Sequence, residues 1–236
     1  YTLGSIANGS YYYNSSTVLG GNGAMVSAKD STILFDTGAN ITSTGDNNIA
    51  IYVDNVYSGL PVAGFTPGTE AENRGTITLN NSSAGLYGIN GAGINADSGA
   101  IFNIGYGSYG IIAESGATLL NSAAITLGDN SIFTYGNNSG GIVNNGAVNI
   151  TGSDNTAFYM VKGGSIINNA NITGTAGTGN IGIYNRGVYT TEVLQADGTM
   201  KLEGLITEGY IENNADITLG DSFLVTDAYG VKTGYS

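Results

Sequence analysis

The 236-residue chain contains no cysteine and no histidine, and it has only two prolines. Without cysteine there is neither a disulfide nor a thiolate metal site, and without histidine the usual general base and commonest metal ligand are gone. Basic residues are scarce: six Lys plus Arg stand against eighteen Asp plus Glu, a formal net charge of −12. Such a chain repels phosphate backbones, so no nucleic-acid partner is expected. No apolar run approaches the ~18 residues of a membrane span, and the opening YTLGSIANGSYYYNSS has no basic region followed by an apolar one. Direct membrane insertion of this segment is therefore not expected. The absence of an initiator Met suggests a mature product or a piece of something longer. The negative charge leaves calcium as an alternative, although no Gly- and Asp-rich calcium nonapeptide occurs; no cofactor is expected and no metal-ligating residue is singled out.

What is abundant is glycine, 39 residues of it, and a returning phrase. In NNGAVNI (144–150), an Asn stands four residues before the aliphatic Val148, a small residue two before, and Asn or Thr one after. The phrase recurs around Val18, Ile41, Ile77, Phe102, Ile125, Ile172 and Ile217, at successive intervals of 23, 36, 25, 23, 23, 24 and 45 residues. A period near 24 residues marks a repeat architecture. A second apolar run follows the anchors (AIYV at 50–53, GLYG at 85–88, GIIA at 110–113, AFYM at 157–160, GIYN at 182–185), and a third precedes them. Three short apolar runs bounded by Gly, Asn, Ser and Asp read as three strands and three turns per unit. One such unit cannot bury its apolar face alone, whereas stacked units enclose a continuous core. The expected fold is all-β, a three-sided parallel β-helix of about eight coils of 23–25 residues. Leucine-rich repeats place Asn after the apolar triplet rather than before it, and hexapeptide helices require a six-residue beat that this period does not keep.

Two columns follow from this register. Asn14, Asn73, Asn121, Asn144, Asn168 and Asn213 stand four before their anchors, with Thr37 and Ser98 in the gaps, and amides stacked ~4.8 Å apart form a structural ladder. Tyr52, Tyr87, Tyr135, Tyr159 and Tyr184 recur in the second run, with Ile112 in one coil. That column either half-buries its rings at a corner or faces water as an aromatic platform. Asn155 is read as outward. Both long intervals place an insertion after the tyrosine strand: a loop at 54–72 holding both prolines, and a hairpin at 186–210 built as TTEVLQ, Ala196-Asp197-Gly198, TMKLEG. The rest, 1–236, is one β-helix segment. Equivalent positions in a solenoid share an edge, so a binding edge is expected there, with Tyr57, Phe65, Tyr189 and Asp197 as contacts.

The repeated phrases of the form N-N-A-x-I-T-L-G and G-I-Y resemble the passenger domains of type V autotransporters, most of all the large fusobacterial outer-membrane adhesins. The resemblance covers residues 14–231 and rests on coil-forming motifs. It implies a right-handed β-helix, export to the cell surface (the extracellular side of the outer membrane) or secretion, and adhesion to a host cell-surface protein or glycan or to another bacterial surface. The alternative is a passive structural spacer within a larger surface protein. A polysaccharide-degrading β-helix enzyme fits less well, because the acids are scattered: Glu70 and Glu72 fall in the first inserted loop, Arg74 and Arg186 stand apart, and Asp129, Asp154 and Asp221 sit at coil corners.

Overall fold

A computed structural model describes residues 2–7, 10–54, 70–198, 200–207, 209–220, 225–226 and 232–233. The chain is a three-sided parallel β-helix. Each coil gives one strand to each of three sheets: in the sixth coil, Ile132–Asn137 joins sheet A, Gly141–Asn144 sheet B and Val148–Ile150 sheet C. Sheets B and C hold eight parallel strands each, and sheet A continues its eight with Val225–Thr226 and an antiparallel Lys232–Thr233. No helix occurs among the described residues.

The three apolar runs become the three sheets because each alternates inward and outward with a period of two. The anchors form one inward column on sheet C, through Ile41, Ile77, Phe102, Ile125, Val148 and Ile172, all nearly or fully buried. Val18 breaks the expected phase. Thr17, not Val18, pairs with Ile41, and Val18 is 64% exposed while Leu19 turns inward. The shift follows from sheet B, where Tyr13 pairs with Phe35 and stacks on it at 5.4 Å.

Phe102, Phe133 and Phe158 pack edge-to-face up the middle of the core, with centroids 6.1 and 5.8 Å apart. Gly110 makes room for this column: a Cβ there would lie 2.8 Å from Phe133 Cδ2 and from Ile104 Cδ1. The corners are turned by Asn, Asp and Ser with positive φ, such as Asn47, Asn90, Asn130 and Asp154, residue types that tolerate the left-handed region.

The asparagine ladder is real but shorter than expected. Asn121 Nδ2 donates to Asn144 Oδ1, Asn144 to Asn168 and Asn168 to Asn213, each at 2.7 Å. Ala96 fills the next place down, so Asn73 is separated from the run. Its Oδ1 accepts the Gly75 N–H at 3.0 Å, while its buried Nδ2 has no partner. Asn14 lies outside the column and is exposed, since Tyr13 holds its place. Thr37 and Ser98 do not fill the gaps either. Phe35 and Ala96 do, and two extra residues loop out after each, in turns closed by Ala39 N–H to Asp36 O and Ala100 N–H to Asp97 O.

A second polar column runs along the corner before sheet A. Asn48, Ser83, Ser108, Ser131, Asn155 and Asn180 are all buried. Most accept the N–H of the equivalent residue one coil earlier, as Asn155 Oδ1 does from Ser131 (2.9 Å) and Asn180 Oδ1 from Asn155 (3.0 Å). Asn155 is thus an inward residue with no exposure, and its amide also donates to Ser153 O and Gly128 O.

Candidate functional site

The sheet A strands carry the pattern outward, inward, inward, outward, inward, outward, as in Ile132–Asn137. The fourth position is the tyrosine column, paired residue by residue from Tyr52 through Tyr87, Ile112, Tyr135 and Tyr159 to Tyr184. It lies at mid-strand on the outer face, not at a corner, and its rings are half-buried. The structure thus has the stacked, half-buried rings of the first expectation, on the outer face of sheet A rather than at a corner.

Ring geometry divides the column at Ile112. Above it, Tyr135, Tyr159 and Tyr184 stack nearly parallel, with centroids 5.9 and 4.6 Å apart and interplanar angles of 11° and 8°. Below it, Tyr52 and Tyr87 meet edge-on at 79°. Tyr109, on the first outward position of its strand, leans edge-on against Tyr135 at 5.8 Å. Parallel stacking covers the ring faces and turns ring edges and phenol oxygens outward. The upper half of the face therefore presents edges and hydroxyls, while the aliphatic Ile112 lies between the two halves.

Glu114 anchors the middle of this face. The Tyr87 hydroxyl donates to Glu114 Oε2 at 2.5 Å, and Asn137 Nδ2 donates to Oε1 at 3.3 Å. Burial, then the hydrogen bond to Glu114 and its negative charge, push the Tyr87 phenol well above its ordinary value. Tyr52, Tyr135 and Tyr159 are also raised, with burial the first cause in each.

The two insertions leave from one edge of this sheet. Val53 and Asn185 fall in the same column, linked through Gly88, Ala113, Gly136 and Met160. Five coil steps separate them, roughly 24 Å along the axis at ~4.8 Å per step. The boundaries are tighter than the sequence suggests. Asp54 still belongs to the sheet A strand, and Glu70 and Glu72 already belong to the coil. Both glutamates are buried: Glu70 Oε2 accepts the Gly93 N–H at 2.5 Å, and Glu72 pairs with Arg74, whose Nε donates to Oε1 at 2.7 Å. Neither acid lies in a free loop, and Arg74 does not stand apart. The second insertion is an antiparallel hairpin of Val188–Leu194 with Met200–Thr207, forming a sheet of its own. At its root Asn185 Nδ2 bridges Gly164 O (3.1 Å) and Tyr210 O (3.0 Å), joining neighbouring coils where the chain departs.

Of the expected contacts, Asp197 is exposed in the hairpin turn, which Gly198 closes by donating to Gln195 O at 3.0 Å. Tyr189 lies in the first hairpin strand, paired with Leu205. Tyr57 and Phe65 lie outside the described residues. Tyr109, Glu114 and Asn137 were missed as members of the face, although Tyr109 and Glu114 stand at fixed offsets from Ile112 on the outward beat of their strand. Among the described residues no three acidic side chains converge as a metal site. No family model, curated protein or solved structure matches the chain.

Proposed function

We propose that the chain is a β-helical segment of a surface-exposed adhesin, attaching to host cells or other bacteria from the outer membrane's extracellular side or as a secreted product. The observation that carries this reading is the outward tyrosine column on sheet A, a flat face about six coils long with a carboxylate at its centre. Tyrosine supplies large, rigid contact area together with a polar tip, and it is enriched where proteins meet partners. Both insertions are rooted on the edge of the same face, so a single partner surface can meet the face and the insertions together. The partner class is a surface protein or glycan.

The test is attachment of beads coated with the chain to host or bacterial cells. Replacing Tyr135 and Tyr159 by Ser, or closing residues 187–208 to a short turn, is expected to reduce attachment strongly with the coil fold retained by circular dichroism. A passive spacer is the second reading, supported by the buried amide and hydroxyl columns that brace the shaft from coil to coil. It predicts that the intact chain attaches to nothing. Cleavage of a polysaccharide by the chain would overturn both.

A further inference from the structure

One-electron oxidants acting on proteins are drained by cysteine, tryptophan, methionine and tyrosine. This chain has no Cys and no Trp, and three Met against sixteen Tyr. Met25 and Met160 are buried at 2% and 0% exposure. Among the described side chains, oxidising equivalents arriving from solvent therefore meet tyrosine before methionine, and the outer face of sheet A gathers five tyrosines in one column. Within it the pairs differ. Tyr159 and Tyr184 are directly paired across parallel strands, with ring centroids 4.6 Å apart and planes 8° apart. In-register pairing with parallel planes lays the two rings face to face, which puts the ortho edge of one ring alongside the ortho edge of the next. Tyr135 and Tyr159 are also parallel but wider, at 5.9 Å, and Tyr52 and Tyr87 meet edge-on.

We propose that Tyr159 and Tyr184 form an oxidative cross-linking site, which hydrogen peroxide activated by a peroxidase converts to a dityrosine rung. Each phenol gives up one electron and its hydroxyl proton, and the two electrons and two protons reduce one peroxide to two waters. The two ring radicals then join through a new bond between ortho carbons. The hydrogens on those carbons return to the phenol oxygens as protons, restoring both aromatic rings with a net loss of two hydrogens. The bond ties the seventh coil to the eighth immediately before the chain leaves for the hairpin. It gives a covalent staple to a solenoid that has no cysteine with which to make one, and it does not depend on the adhesive reading.

The experiment treats the dilute whole chain with peroxidase and hydrogen peroxide, then digests it with trypsin. Cleavage at Lys162 and Arg186 releases residues 163–186, in which Tyr184 is the only tyrosine, separately from residues 75–162, which contain Tyr159. The expected product is these two peptides joined, two hydrogens lighter than their sum, with dityrosine fluorescence and a melting temperature several degrees higher. The joined peptide should vanish in Tyr159→Phe and in Tyr184→Phe, which keep the stack, and persist in Tyr135→Phe. The proposal is overturned if no dityrosine forms, if it forms only between molecules or elsewhere in the chain, or if the joined peptide survives in Tyr159→Phe.

Discussion

Asn121, Asn144, Asn168 and Asn213 on one side of the helix, and Tyr135, Tyr159 and Tyr184 on another, repeat at the same interval, each member one coil above the last. The amides turn inward at the corner between sheets B and C, where each carboxamide donates to the next at 2.7 Å. The phenols turn outward at mid-strand, where neighbours touch only through stacked rings. Repetition alone made the two columns look alike. They differ in how far the shaft satisfies them: the asparagines' polar groups are taken up within the ladder, whereas the tyrosines keep edges and oxygens turned to solvent. The first is a brace and the second is a surface, and substitutions should separate them.

Val148, 1% exposed, sets the upper limit of such effects. Val148→Asp removes about 1.5–3 kcal/mol of burial and leaves a charge unpaired among aliphatics, so it should unfold several coils, read as loss of the cooperative thermal transition. Next comes the brace itself. Asn144→Ala breaks a bond to the coil on either side and strands two buried partners, a cost of about 2–4 kcal/mol. Asn155→Asp should cost a comparable amount, since a carboxylate cannot donate to Ser153 O and Gly128 O. A denaturation midpoint for either that matches the parent chain would show that the columns are passengers in the fold.

Tyr159→Ser should cost about 1 kcal/mol, the scale of an aromatic pair contact, yet should weaken cell attachment more than any brace variant that still folds. Loss of attachment in Asn144→Ala but not in Tyr159→Ser would reverse the assignment of brace and surface. Asn14→Ala completes the series. Asn14 shares the sequence phrase but stands outside the ladder, so its replacement should change stability by no more than about 0.5 kcal/mol.

Asn14 also shows where the sequence could be read and where it could not. The period, the three strands per coil and seven of the eight anchors follow from apolar spacing, because inward positions are constrained by packing in every coil. The first coil was misphased because NSSTVLG satisfies the phrase at Val18, while the residue that sets its register, Tyr13, does so by stacking on Phe35 one coil away. Thr37 and Ser98 were placed by counting back from the anchor, which fails where an Asp-initiated turn adds two residues. The second polar column was legible as an Asn or Ser immediately before every sheet A strand from Asn48 to Asn180. It went unread because two residue types share the role. The binding edge is another matter: outward residues answer to a partner rather than to the core, and no spacing rule encodes that partner.

The smallest expected effect concerns one proton on the outer face. Tyr87 is raised above the ordinary phenol value of about 10, first by burial and then by its hydrogen bond to Glu114 and the charge there. A raised folded value means that the folded chain holds this proton more tightly than the unfolded chain. The stability linked to it is complete below pH about 10 and is lost as pH rises through the folded value. Tyr52, Tyr135 and Tyr159 shift the same way, so alkaline unfolding should track tyrosinate absorbance from these residues. Glu114→Gln removes the negative charge but not the burial. It should lower the Tyr87 titration without returning it to the ordinary value, and Tyr87→Phe identifies which part of the absorbance belongs to that residue. If the Glu114→Gln titration overlays the parent, the carboxylate does not govern the phenol, and the centre of the tyrosine face is held by burial alone.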